Sequence, residues 1–136
     1  MAVDVGRNQL RASFGTHTKT VESMMEGAPA ALLLFYGVEC GLKAAILSRN
    51  GYKDTSHLPE QLRNHDLHRL AKELKLPPEV CNRMRSCPSQ NGRGHVAFAE
   101  LHQAWRYGHT LRKAEEEQAV ASLHELIAWC RRELGM

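Results

Sequence analysis

Leu32, Phe35, Tyr36, Glu39, Leu42, Lys43 and Ile46 recur at three- and four-residue spacing within a run that is apolar on most sides. Such all-round hydrophobicity predicts a central, buried helix. Pro29 suits its first turn, where a missing N–H costs nothing, and Asn50-Gly51 suits its end, because both tolerate the left-handed conformation. Leu67, Leu70, Ala71 and Leu74 form a second helical stripe. Asn64 is its expected N-cap, Asp66 sits in its first turn, and Pro77-Pro78 stops it. Ala119, Leu123, Leu126, Ile127 and Cys130 form a third, on a helix from Lys113 to about Glu133 whose Glu115 to Glu117 complement the N-terminal dipole. Helical segments are also predicted over Thr18 to Met25, from Pro78 to about Arg85, and from His95 to about Leu111. Residues 51–62 and 87–94 read as loops. Residues 1–15 lack a clear period and read as a flexible arm or frayed helix, leaving 16–136 as one domain. No segment alternates at period two over strand length, so the expectation is all-α: an up-and-down bundle of four or five principal helices.

Charge narrows this little. The 136 residues carry 18 Lys and Arg against 15 Asp and Glu, a net of +3, too mild to mark a nucleic-acid binder. Eight histidines make the chain more basic in mild acid. The four cysteines, at 40, 81, 87 and 130, form no Cys-x-x-Cys pair, and the opening Met-Ala-Val-Asp-Val-Gly-Arg has no signal pattern. Glu39 and Lys43 interrupt the apolar run from Ala28 to Leu47, which argues against a membrane span. A cytoplasmic protein with reduced thiols is the expectation. No cofactor and no metal are called for.

Polar residues inside apolar patterns are where chemistry would show. Glu39 and Lys43 stand one turn apart and read either as an i, i+4 ion pair or as part of a network reaching His65 or Asp66 on the next helix. Trp105 and Tyr107 read as interhelical packing, with Arg106 capping a carbonyl or pairing with Glu39. His95, His102 and His109 form a seven-residue series. On one helix they would share a face about 10 Å apart, too far for one metal ion and suited to a solvated or dimer-facing stripe. Gly92-Arg93-Gly94-His95 leads into an expected helix start, where backbone N–H groups and Arg93 could receive a phosphate.

Phe35-Tyr36-Gly37-Val38-Glu39-Cys40-Gly41-Leu42-Lys43-Ala44-Ala45, answered by His65-Asp66-Leu67 and later by Arg106-Tyr107, resembles the HEPN domain. That helical domain occurs in prokaryotic toxins, RNases and partners of small nucleotidyltransferases. The resemblance covers roughly residues 24 to 134. It implies that Glu39, His65 and Asp66 fix helix packing, and that the protein forms a homodimer or docks against a nucleotidyltransferase in toxin–antitoxin or antiviral defence. A second implication is a metal-independent endoribonuclease. Arg63-Asn64-His65-Asp66-Leu67-His68 matches the family's arginine, polar residue and later histidine, with four residues between Arg63 and His68. His68 would take the proton of a ribose 2′-hydroxyl, Arg63 would steady the phosphorane oxygens, and Asn64 would position the hydroxyl. In the family that motif usually opens a later helix, so this hexapeptide is asked to serve both packing and catalysis. A third reading is a nucleotide-binding accessory subunit using Lys43, Arg93 and Arg106.

Overall fold

The computed structural model describes residues 4–24 and 26–136. Six α-helices and one two-stranded hairpin make an all-α bundle: α1 (Arg7–Glu22), α2 (Ala28–Asn50), α3 (Leu67–Glu73), α4 (Pro78–Asn82), β1 (Cys87–Pro88), β2 (His95–Val96), α5 (Leu101–Tyr107) and α6 (Lys113–Leu134). Three helices are long and three are short, where four or five principal ones are expected from periodicity. α2 is the axis, and α1, α3, α5 and α6 all pack on it. Its Phe35, Val38, Leu42 and Leu47 are fully enclosed, and Leu101, Leu123 and Leu126 from α5 and α6 meet them in one core. By length and composition α2 could cross a bilayer, but 67 % of its most apolar window is buried inside the fold, as in a core helix. Gly51 ends it in the left-handed conformation at φ 66°, where a side chain would be strained.

Of the flexible arm or frayed helix expected over residues 1–15, the helical alternative holds from Arg7 onward, where α1 begins. Residues 1–3 lie outside the described residues, as does Met25, the expected end of the Thr18 helix. Leu10 and Phe14 are buried one turn apart, followed by Thr18. Thr18 looks polar in the sequence, but its hydroxyl returns to the Gly15 carbonyl at 3.1 Å, and its methyl carbon lies beside Gly37 of α2. One apolar residue per turn, with a threonine completing the stripe, is too thin a signal for periodicity alone.

The helix expected from His95 to Leu111 shrinks to α5. His95 and Val96 instead pair with Pro88 and Cys87, antiparallel, and a 3₁₀ turn at Phe98–Glu100 leads into α5. Val96 and Phe98 turn inward while His95 and Ala97 stay exposed, a period of two rather than 3.6. The N-cap of α3 is Asp66, two residues after the expected Asn64. Asp66 Oδ1 accepts the Arg69 N–H at 3.2 Å, and Asn64 Oδ1 instead accepts the Asp66 N–H at 3.0 Å.

Candidate functional site

Tyr36, Glu39 and Lys43 lie at i, i+3 and i+7 on one face of α2. The loop before α3 brings His65 onto this face, and α5 crosses it with His102 and Arg106, four residues apart. Glu39 is the hub. Its Oε2 accepts Lys43 Nζ at 2.8 Å and its Oε1 accepts His65 Nδ1–H at 2.6 Å, so each carboxylate oxygen holds one donor. The side chains of Glu39 and Lys43 are 13 % and 11 % exposed, whereas His65 is 52 % exposed. An ionised carboxylate can only accept, which fixes the proton on His65 Nδ1 and leaves Nε2 to exchange with its surroundings.

These contacts set the charges. Burial pushes the Glu39 carboxyl up, but the His65 hydrogen bond and the Lys43 ammonium outweigh it and hold the group below its ordinary value. The same bond to Glu39 raises His65, against opposition from burial and from Lys43. His102 lies in contact with it, ring centroids 4.7 Å apart, and 4.9 Å from Phe35. Burial and then the charge of His65 lower His102, opposed by Glu100, Glu39 and a contact with the Ala99 carbonyl. The two rings are thus pushed in opposite directions, His65 toward the protonated form and His102 toward the neutral one.

That division predicts opposite contributions to stability. A histidine lowered below its unfolded value of 6.5 favours folding fully above that pH and loses its contribution as pH falls. A raised histidine such as His65 contributes below its unfolded value and loses this as pH rises through its folded one. Replacing His102 with leucine removes the acid penalty, so melting temperatures of the variant and wild type should converge at pH 8 and diverge at pH 5.5 in the variant's favour. Parallel shifts at both values would mean that His102 acts through packing alone.

Arg106 borders the cluster outside. Its Nη2 donates to the Tyr36 hydroxyl, and its guanidinium carbon stands 5.6 Å from the centre of the Tyr36 ring. His65 also neighbours that ring, 6.4 Å between centroids. Tyr107, expected to pack between helices, is instead 76 % exposed, while Trp105 is buried and donates Nε1–H to Glu116 at 2.9 Å.

The remaining expected site residues sit elsewhere or are engaged. Arg63 is in the loop, where its Nε and Nη2 donate to the Leu58 and Ser56 carbonyls, each at 2.8 Å. Asn64 holds the Asp66 N–H, and half-buried His68 makes no hydrogen bond among the described residues. Lys43 is bound to Glu39, and Arg93 stands on the β1–β2 hairpin, its own N–H donating to Asn91 Oδ1 at 2.8 Å. Asp66 caps α3 and makes no bond to Glu39. The seven-residue histidine series does not form a stripe, because His95 is in β2, His102 is buried on α5, and His109 lies past Gly108, bonded through Nε2 to Ser89 Oγ at 2.8 Å. Among the described residues no three His, Cys, Asp or Glu side chains converge as metal ligands.

Tyr36 and His102 were missed as site residues. Their signal was present, since Tyr36 shares a helical face with Glu39 and Lys43, and His102 precedes Arg106 by one turn. On another face of the molecule, Val21, Leu34, Trp105 and Val120 line a groove of about 730 Å³, with Lys113 and Glu117 along it. Comparisons with protein-family models, with curated proteins and with solved structures give no match.

Proposed function

We propose that this chain is a HEPN-like helical protein that acts by association rather than by catalysing a reaction of its own. It pairs with a second copy and docks against a nucleotidyltransferase or another defence or toxin–antitoxin partner, in the cytoplasm. The groove between α1, α2, α5 and α6 carries the reading. Half-buried Val21 and Val120 flank a floor that includes Leu34 and Trp105, a concave apolar surface of the kind that seats a partner's side chains. The endoribonuclease reading is supported less well, because two donors of Arg63 are spent on the Ser56 and Leu58 carbonyls, bracing the loop. All four cysteines are free, with burial pushing the Cys40 and Cys87 thiols up to about 11 and Cys130 to about 12, which fits a reducing compartment.

The test is light scattering behind size exclusion. Wild type should run as a dimer, and Val120→Asp should run as a folded monomer, because a carboxylate in the groove cannot be desolvated against a partner. Wild type that stays monomeric across the concentration range and captures no partner would sink the proposal. So would metal-free RNA cleavage, in EDTA, that Arg63→Ala and His68→Ala both abolish.

A further inference from the structure

The Glu39 cluster ends in an outward face that the association reading leaves unused. Arg106 spends one of its five N–H donors on the Tyr36 hydroxyl, and His65 spends Nδ1 on Glu39. The Arg106 guanidinium carbon stands 5.6 Å from the centre of the Tyr36 ring, and the centre of the His65 ring 6.4 Å from it. We propose that Arg106, Tyr36 and His65 form a receptor for a single carboxylate group, presented by an acidic side chain or by a chain terminus. The receptor stands whether or not the groove seats a second copy.

A count of the charges around the cluster selects the ligand. Lys43 neutralises Glu39 at 2.8 Å, and Glu100, which acts on both His65 and His102, offsets one further positive charge. What remains is Arg106 set against Glu100, and His65 when protonated. The groups facing His65 are Tyr36, Glu39 and Lys43 from α2, and Glu100 and His102 from the 3₁₀ turn and α5, with Arg106 against Tyr36. With His102 pushed toward its neutral form, the site carries about one net positive charge when His65 is charged and none when it is not. One charge matches a carboxylate monoanion, whereas a phosphate monoester brings nearly two. The guanidinium fork gives the carboxylate its geometry, because two parallel N–H groups match its two oxygens. The hydrogen bond to the Tyr36 hydroxyl holds that fork in place before anything binds, so less freedom is lost on binding. The proton on His65 switches the site, with binding strong while the ring is charged and lost as pH rises through its folded value.

Acetate is the first probe, titrated into wild type at pH 6.5 at constant ionic strength and followed through the His65 imidazole resonances by NMR. Acetate should move those resonances saturably where chloride does not, with at least tenfold weaker binding at pH 9. Arg106→Gln, at an exposed position that leaves the core untouched, should weaken binding at least fivefold, and Glu100→Gln should tighten it about threefold. Acetyl-Gly-Glu-Gly-amide binding more tightly than acetyl-Gly-Gly would assign the carboxylate to a side chain, and the reverse order to a chain terminus. The proposal fails if acetate acts no differently from chloride, or if Arg106→Gln changes nothing. It fails equally if inorganic phosphate binds tenfold more tightly than acetate at pH 6.5, since a carboxylate would then not be the preferred ligand.

Discussion

Glu39→Ala should destabilise the protein by about 3 kcal/mol, the loss expected when one partner of a buried ion pair is removed. The magnitude follows from what is left behind. Lys43 is 11 % exposed and would keep its ammonium among apolar side chains without its acceptor, while His65 would lose the bond that holds its loop on α2. Exposure this low leaves little room for water to screen the charge. Glu39→Ala combined with Lys43→Met should recover most of the loss, because two apolar side chains leave no charge to desolvate. Urea denaturation of the two variants separates charge from shape: equal instability in the single and double variants would mean that packing, not the stranded ammonium, sets the cost. The effect also has a pH window. Glu39 is lowered, so its contribution is fully present above its unfolded value of 4.5 and lost as pH falls through its folded value. His65 is raised, so its share is lost as pH rises through its folded value. The difference between wild type and Glu39→Ala should peak between these two limits.

How much of this was legible depends on how local each cause is. Both ends of α2 follow from Pro29 and Gly51, residues whose backbone preferences act within one turn. The stripe on α6 is equally local, with several apolar residues in each pair of turns. α1 was not legible over its first half, because Leu10 and Phe14 are separated by Arg11, Ala12 and Ser13 and Thr18 completes the face through its methyl. The segment after Gly94 misled for a different reason: His95, His102 and His109 fit a helical period in sequence, but strand pairing takes the first and Gly108 releases the last. The site divides in the same way. Glu39 and Lys43 are readable from an i, i+4 spacing, and the segment with His65 stands out as a polar opening to an apolar helix. The place of Arg106 and His102 beside them depends on how α5 crosses α2, which no local spacing encodes.

Gly41→Val should be the most damaging single substitution on α2, while Gly37→Ala, one turn away, should stabilise. An ideal Cβ on Gly41 would stand 2.7 Å from Cys130 Sγ and 2.7 Å from Phe14 Cδ1, closer than real Cβ atoms come. Both neighbours are enclosed, Phe14 by the α1–α2 contact and Cys130 on α6, so neither can swing away without opening the core. Two more methyl groups at that point force backbone separation of three helices, at a cost of about 3 kcal/mol or more. Exchanging glycine for a residue with a Cβ recovers less than about 1 kcal/mol of helix propensity, so the clash wins. At Gly37 the balance reverses. Its Cβ would meet His17 Cβ at 3.4 Å and Ile127 Cδ1 at 3.6 Å, close to ordinary contact, and alanine should gain up to about 1 kcal/mol from reduced freedom of the unfolded chain. Melting curves of Gly37→Ala and Gly41→Ala would therefore move in opposite directions. Adding Cys130→Ala to Gly41→Ala should restore only part of the loss, since Phe14 Cδ1 remains at 2.7 Å. Full restoration would mean that α1 yields where α6 does not, and that the glycine at 41 serves the α2–α6 contact alone.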